Sequence, residues 1–487
     1  MTDYLALDLG AESGRAIVAT LDDEKLTLNE VHRFRNNPVR LLDGIHWDVL
    51  GLWSEIKAGI AAAIKSGANP VGIGLDTWGV DFALLDKNGA LLSNPFHYRD
   101  ARTDGIPEEV FKRIPRTEIF AQTGIQFMQL NTLYQLFSMS LEKSPLFDIA
   151  ERFVTIPDLF NYWLSGKITN EFTNSTTTQC FNPLSADWSR DMLDALHIPS
   201  RLFGSVTAPA TVIGELLTEV AEETGARMIS VVLPACHDTG SAVAAIPAQN
   251  QDFAWISSGT WSIMGAEVLQ PILSEKALAY NFTNEGGVSG TWRLSKNIMG
   301  LWLVQECRRY WSSHGEDLSY DEITRLASEA KPFLAVIDPD ADRFFHAGDM
   351  PDKICKFCAE SGQPIPQIKG EIVRVALESL ALKYRRTLEQ VEELSGKRLD
   401  PIHIIGGGTK NRLLNQFTAD CTQRTIVTGP VEATAIGNVL MQAIALGQLR
   451  SLADARAAVR KSFSVETYQP DNYAGWDDAY AKLLNLI

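Results

Sequence analysis

The chain has 487 residues, 45 % of them hydrophobic, and a formal net charge of −16. At roughly 150 residues per domain, that length predicts about two to three domains with sizeable cores. The acidic balance excludes a nucleic-acid or anionic-membrane partner, which would want a basic face. Six cysteines in this length make no disulfide framework, and Cys355 and Cys358 form an isolated CxxC without a second pair or a nearby His pair. No apolar run approaches the ~18 residues of a membrane span. The N-terminus lacks the basic start of a secretory leader, so a cytoplasmic protein is expected.

The chain opens on a strand, Tyr4 to Gly10, with Asp8 near its end. Ala11-Glu12-Ser13-Gly14 is a tight polar turn, Arg15 to Leu21 returns as a second strand, and Lys25 to Phe34 forms a third. The turn offers backbone N–H groups, a hydroxyl and a guanidinium within five residues, which suits phosphate oxygens. Asp8 directly before it is placed to serve a metal bound to those phosphates. Asp48 caps a helix whose apolar face runs through Val49, Leu52, Trp53, Ile56 and Ile60. A buried strand, Val71 to Leu75, leads into Asp76-Thr77-Trp78-Gly79-Val80-Asp81. Phe82–Leu85 and Ala90–Leu92 then read as a hairpin. With Arg99 and Arg102, this stretch suits a polyol or sugar, Trp78 being either a cover for the sugar or a core aromatic. Residues 106–205 read as mainly helical with polar loops. Asn170 to Thr178, rich in Ser, Thr and Asn, is either a substrate-lining loop or a turn.

Near the midpoint, the apolar run Met228 to Leu233 ends in Pro234 and is followed by Cys236-His237-Asp238-Thr239-Gly240. Asp238 is either a helix cap or a carboxylate presented at the mouth of a strand–turn–helix. The pattern then restarts. Phe253–Ser257, the turn Ser258-Gly259-Thr260 and Trp261–Val268 echo the first hairpin and predict a duplicated domain. Lys296 to Gln305 leads into a helix that Asn297 is placed to cap, with Gln305 in a mostly apolar run. Glu371–Leu394 is a long amphipathic helix. Pro401–Ile405 is a strand ending in Gly406-Gly407-Gly408, where backbone can approach a flat ligand. No Walker A or GxGxxG spacing occurs, which excludes P-loop and dinucleotide-binding classes.

Taken together and in order, Asp8–Arg15, Asp76–Asp81, His237-Asp238-Thr239, Ser257–Ser262 and Ile405–Gly408 resemble the FGGY family of carbohydrate kinases over nearly the whole chain. Within that family the stretches are most similar to the kinases of L-rhamnulose. The resemblance implies an α/β protein of two actin-like (ribonuclease-H-like) domains flanking a catalytic cleft. Residues 1–245 would form the sugar side with the first phosphate hairpin, and 246–487 the ATP-binding side. It implies ATP as co-substrate, Mg²⁺, and transfer to the 1-hydroxyl of L-rhamnulose in L-rhamnose catabolism. Asp238 is then the general base. Ala11, Glu12, Ser13, Gly14, Arg15, Thr260, Gln305 and Gly407 are the ATP contacts, with Glu12 pointing outward or ordering a metal-bound water. Gly79, His237, Asp238, Thr239 and Asn297 are the sugar contacts, and Asp8 is the carboxylate near the magnesium. Another ketose or polyol, such as L-fuculose or xylulose, and an actin-like ATPase without a sugar substrate stay open as alternatives. No nucleic-acid or membrane partner is expected, and a monomer is the plain expectation.

Overall fold

The computed structural model describes residues 1–487, and the chain divides into two compact units. Met1–Gln249, Glu267–Leu294 and Glu432–Phe463 form the first; Asn250–Ala266, Ser295–Val431 and Ser464–Ile487 form the second.

The first unit is built on a six-stranded sheet. Its strands are β1 (Thr2–Leu9), β2 (Ser13–Asp22), β3 (Lys25–Arg35), β4 (Pro70–Thr77), β5 (Thr211–Glu215) and β6 (Ser230–Leu233), in the order β5-β6-β4-β1-β2-β3. β1 and β2 pair antiparallel with Asp8 opposite Arg15 and Leu9 opposite Gly14. β1, β4 and β6 run parallel, with Asp8 beside Asp76. Such strands are covered on both faces, which explains their nearly unbroken apolar sequences.

Leu5, Leu7 and Leu9 share one core with Val49, Leu52, Ile56 and Ile60 of helix α1 (Val49–Lys65). Asp48 caps α1 by accepting from the Gly51 N–H at 2.9 Å. The alternate residues of the strands face the other way. There β4 carries glycines so that helix α6 (Ala433–Ala445) can approach: a Cβ on Gly74 would lie 2.4 Å from Asn438 Oδ1. Helix α2 (Asp238–Ala244), which follows β6, packs on α6 more closely still. A Cβ on Gly437 would lie 1.7 Å from the Ser241 carbonyl oxygen.

The second unit repeats this plan. Its strands β7 (Ala254–Ser258), β8 (Trp261–Val268), β9 (Trp292–Met299), β10 (Ile402–Ile405), β11 (Ile426–Thr428) and β12 (Glu466–Tyr468) follow the order β9-β8-β7-β10-β11-β12. β7 and β8 form an antiparallel hairpin, β7, β10 and β11 are parallel, and β12 returns antiparallel on β11. Read from hairpin to outer edge, the order and directions match β2-β1-β4-β6-β5. Helices α3 (Trp302–Ser313), α4 (Lys369–Ser395) and α5 (Arg412–Thr422) complete the unit, and Tyr384 on α4 shares a 2.6 Å hydrogen bond with Ser262 on β8.

Two local expectations, the caps read at Asn297 and Asp238, fail, and one strand gains a second partner. Phe82–Leu85 meets the 90–92 stretch across the Lys87-Asn88-Gly89 turn, through the Leu92 N–H to the Leu84 carbonyl at 3.0 Å, the Asp86 N–H to the Ala90 carbonyl at 2.9 Å and a Leu85–Leu91 bridge, and it also pairs antiparallel with Arg152–Thr155. Asn297 lies inside β9 and does not cap a helix; Leu301 holds the cap position of α3. Asp238 does not occupy the cap of α2, which is His237; Asp238 is the first helical residue.

The α2–α6 contact leaves no room at Gly437, so Gly437→Ala is expected to lose about 1–3 kcal/mol by overpacking against backbone. Thermal denaturation of the purified variant checks this. A midpoint equal to that of the parent would show that the two helices do not meet there.

Candidate active site

The carboxyl ends of β1, β4 and β6 bring Asp8, Asp76 and Asp238 into one neighbourhood, where each affects the ionisation of another. Burial pushes Asp8 above the ordinary carboxylate range; Arg15 opposes that, and the negative charge of Asp238 adds to it. Arg15 reaches back across the hairpin, its Nη2 2.5 Å from Asp8 Oδ2. Its Nη1 donates to Glu432 at the start of α6. Burial works against the Arg15 charge, but Asp8 and Glu432 outweigh it and raise its pKa. Asp76 is fully buried and held well above the usual range by burial and then by Asp8. Its Oδ2 accepts from Asn438 Nδ2 at 2.6 Å, and its Oδ1 has no partner. In the turn that follows Asp8, Glu12 is exposed, while Ala11 and Ser13 are half-buried.

Asp238 is partly open to solvent, its side chain about one-third exposed. One carboxylate oxygen, Oδ1, accepts from the Thr239 N–H at 2.5 Å and from Thr239 Oγ1 at 3.1 Å. His237 Nε2 stands 3.4 Å from that same Oδ1. Oδ2 is therefore the oxygen left for a ligand. On the other side of the imidazole, Arg293 Nη2 lies 2.9 Å from Nδ1. Arg293 is fully buried, donates through Nε to the Gly286 carbonyl at 2.9 Å, and pairs with Glu285 Oε2 at 3.1 Å. Burial alone would raise Glu285; the Arg293 charge leads what overcomes it and the carboxyl is held down at about 2.

Gly79 abuts this group, since a Cβ there would lie 3.1 Å from Thr177 Oγ1 and 3.3 Å from His237 Nε2. The next residue, Val80, is in the left-handed region at φ 68°, unusual for a β-branched side chain. The loop is clamped by hydrogen bonds: Asn174 Nδ2 to the Trp78 carbonyl at 3.2 Å, Val80 N–H to Thr177 Oγ1 at 3.1 Å, and Thr132 Oγ1 to the Val80 carbonyl at 2.5 Å. The 170–178 stretch is thus a buried polar scaffold. Its Thr173 Oγ1 also accepts from the His237 N–H at 3.1 Å, and its Thr176 Oγ1 from the Gly286 N–H at 2.7 Å. Trp78 is a core aromatic. Its indole N–H and that of Trp47 both donate to Asp81 Oδ2, and Gln135 donates to Oδ1. With all three donors in place, Asp81 has no free face for a sugar hydroxyl.

In the second unit, the turn Ser258-Gly259-Thr260 docks on the start of α3. The Leu301 N–H donates to the Gly259 carbonyl at 3.0 Å and the Trp302 N–H to the Thr260 carbonyl at 3.1 Å. Gly300 permits this, because a Cβ there would lie 2.6 Å from backbone of Trp261. Gln305, one turn along α3, is half-buried. Gly406 has φ 83°, and Gly408 sits under Ser258, whose Oγ would be 1.9 Å from an added Cβ. Gly407 between them is exposed, with nothing within 4 Å of the space a Cβ would take. Thr260, Gln305 and Gly407 therefore belong to one set of elements joined through Ser258 and Gly300. Asn297 projects from β9, half-buried.

Comparison with known proteins decides the family. Residues 3–245 match the N-terminal domain, and residues 254–446 the C-terminal domain, of the FGGY family of carbohydrate kinases. The chain belongs to the FGGY family of carbohydrate kinases. It is 42 % identical to a rhamnulokinase of Bacteroides thetaiotaomicron over 485 residues, covering 100 % of this chain and 99 % of the relative. It is also 42 % identical to a rhamnulokinase of Oceanobacillus iheyensis, covering 95 % of this chain and 97 % of that protein. Among solved structures, a ligand-bound xylulose kinase from Lactobacillus acidophilus matches with TM-score 0.83 at 16 % identity, over 100 % of this chain and 97 % of its own. A Plasmodium falciparum glycerol kinase with ADP matches with TM-score 0.79 at 16 % identity, over 100 % and 97 %. The two-domain α/β sugar-kinase fold follows, and ATP is the co-substrate of this FGGY enzyme.

Sequence reasoning missed Glu285, Arg293 and Glu432. The first two lie in a segment, Glu267–Leu294, that returns to the first unit after the chain has entered the second, and no local motif marks them. Beneath the FGGY site lies a further buried acid, Glu171. It accepts from the Asn174 N–H at 3.0 Å and Thr173 Oγ1 at 2.7 Å, and burial raises it to about 8 despite those bonds. A carboxyl protonated in the folded state and ionised in the unfolded one binds more protons when folded, so stability falls as pH rises. The window runs from the ordinary Glu value to about 8. Glu171→Gln is expected to flatten this loss, seen as a smaller drop in urea midpoint on raising the pH from about 5 to about 8. Parallel pH dependence in both proteins would show that Glu171 is ionised when buried.

Proposed function

We propose that this kinase transfers the γ-phosphoryl group of Mg²⁺–ATP to the 1-hydroxyl of L-rhamnulose. The observation that carries the chemistry is the division of labour at Asp238, with Oδ1 tied to Thr239 and Oδ2 left open. The sugar's identity is supported by rhamnulokinase relatives that match over nearly their full lengths.

In phosphoryl transfer the transition state is loose, and positioning with charge neutralisation supplies most of the rate. A primary hydroxyl held against Asp238 Oδ2 passes its proton to that oxygen as it attacks phosphorus in line. Such a base contributes ~10²–10⁴-fold. His237, Thr239, Gly79 and Asn297 hold the sugar, Gly79 leaving space for it to approach backbone. Ala11, Glu12, Ser13, Gly14 and Arg15 meet the nucleotide through the first hairpin turn, and Thr260, Gln305 and Gly407 through the second unit. Gly407 suits a flat base because nothing fills the space a side chain would take.

The residues also fit Mg²⁺. No group of three His, Cys, Asp or Glu side chains forms a closed cage. Mg²⁺ in kinases takes most of its ligands from phosphates and water, with one or two carboxylates. Asp8 would hold it, through its waters, beside the unpartnered Asp76 Oδ1. When bound, the ion supplies charge neutralisation at the phosphates. Arg15, already paired with Asp8 and Glu432, adds the protein's own positive charge to that corner.

Asp238→Asn is expected to keep the fold and sugar binding while turnover falls ~10²–10⁴-fold. A coupled ADP-release assay on L-rhamnulose, L-fuculose, D-xylulose and no sugar tests the whole reading. L-Rhamnulose should give the highest kcat/KM, with negligible ADP in the sugar-free arm. Preference for a different ketose would replace the substrate, and sugar-independent ADP release would favour an actin-like ATPase. Near-parental turnover in Asp238→Asn would remove that residue as the base.

A further inference from the structure

We infer that Arg293 is a positioning residue that locks His237 as a neutral imidazole with its proton on Nε2, so that this N–H is presented to a sugar hydroxyl beside Asp238. The inference deepens the proposed function, since it treats the His237–Asp238–Gly79 group as the sugar end of the site.

The argument rests on counting donors. A guanidinium has five N–H groups and no acceptor. At 2.9 Å from Nδ1, Arg293 Nη2 must direct an N–H into a lone pair on that nitrogen. A proton on Nδ1 would set N–H against N–H. Both the imidazolium and the opposite tautomer are therefore excluded, and the ring's single proton sits on Nε2. Arg293 has little freedom to turn away. It is fully buried, its Nε is fixed to the Gly286 carbonyl, and Nη2 is shared with Glu285.

Three charged groups face the ring nitrogens. Asp238 Oδ1 faces Nε2 at 3.4 Å, Glu285 Oε2 faces Nδ1 at 3.4 Å, and Arg293 faces Nδ1 at 2.9 Å. Thr173 Oγ1 holds the His237 backbone N–H at 3.1 Å, and Gly79 abuts Nε2. Two carboxylates would ordinarily favour a charged imidazole. Arg293 prevents that by occupying Nδ1 and pairing with Glu285, leaving Asp238 as the one unpaired negative charge at the sugar end. The Nε2–H, 3.3 Å from the space above Gly79, is then a fixed neutral donor. It selects a hydroxyl or carbonyl oxygen without neutralising the base next to it.

The test reads the imidazole directly. Protein labelled with ¹⁵N-histidine gives long-range ¹H–¹⁵N correlations that separate the tautomers, and His237→Asn assigns the signal by its loss. In the parent enzyme, His237 should show an Nε2–H pattern that holds from about pH 8 to about pH 5.5, bracketing the free-histidine value of roughly 6.5. Glu285→Gln, which leaves Arg293 in place, should give the same pattern. Arg293→Met/Glu285→Gln removes both charges of the buried pair together, which buried pairs often tolerate. There His237 should titrate near or above the free value, and kcat/KM for the sugar should acquire a matching acidic limb. A parent His237 protonated on Nδ1, or titrating near 6.5, would overturn the inference, as would a folded double variant with the parent's spectrum and pH profile. The spectra need no turnover. The predicted tautomer without L-rhamnulose phosphorylation would sink the substrate reading alone, and the wrong tautomer with turnover intact would sink this inference alone.

Discussion

Parallel strands ~4.8 Å apart that each end in an aspartate force like charges together. Two ionised carboxylates ~5 Å apart repel by roughly 3 kcal/mol at an effective dielectric of ~20, before any desolvation is counted. Asp8 and Asp76 meet that condition as register partners at the ends of β1 and β4, with Asp238 one strand further on. The first unit resolves the conflict by treating the three differently. Asp76 is buried where its proton is favoured, Asp8 is given Arg15, and Asp238 is left toward solvent with one oxygen tied to its own helix. Of the three, Asp238 has the most open side chain.

Much of the supporting architecture serves that arrangement. α6 crosses the carboxyl ends of β1 and β4 and carries the groups that hold both acids. Glu432 draws Arg15 from one end, and Asn438 holds Asp76 nearly two turns further along. The glycines of β4 and Gly437 itself exist where they do because polar side chains and a second helix must come this close. α2 is then fixed against α6, and Asp238 with it. The same economy of charge recurs at His237, beneath which Glu285 and Arg293 cancel each other.

The sequence made the hairpins, the parallel strands and Asp238 legible because each is a local event. A β-branched run followed by Pro or Gly and a polar turn carries its meaning within about ten residues. The duplicated plan was also visible, as two strand–turn–strand patterns of similar spacing. What local pattern could not carry was the pairing of distant segments. Phe82–Leu85 meets its neighbour in sequence as read, but its second partner, Arg152–Thr155, had no local mark. The 170–178 stretch has the composition of a loop, yet it is buried, because its hydroxyls satisfy the backbone of three other segments. Trp78 and Asp81 had the composition of a sugar site, but a carboxylate that already accepts from two indoles and an amide is a structural brace. Arg293 had no signal at all in the sequence; its role appears only when donors and acceptors around His237 are counted.

The two units share strand order and differ in what those strands deliver. Where β1 and β4 end in Asp8 and Asp76, the corresponding strands β7 and β10 end in Ser257-Ser258 and in Ile405-Gly406. The chain therefore uses one scaffold twice with opposite electrostatic content. A strand end bearing carboxylates suits proton transfer and a hydrated divalent cation, but it repels phosphate unless cations intervene. A strand end of hydroxyls and glycine presents backbone dipoles and no charge, which suits a nucleotide directly. Strand ends free of acids let a chain of net charge −16 accept a polyanionic co-substrate. In the first unit, by contrast, Arg15 is paired with Asp8 and Glu432 and Arg293 with Glu285, so both cations are taken up by neighbouring acids.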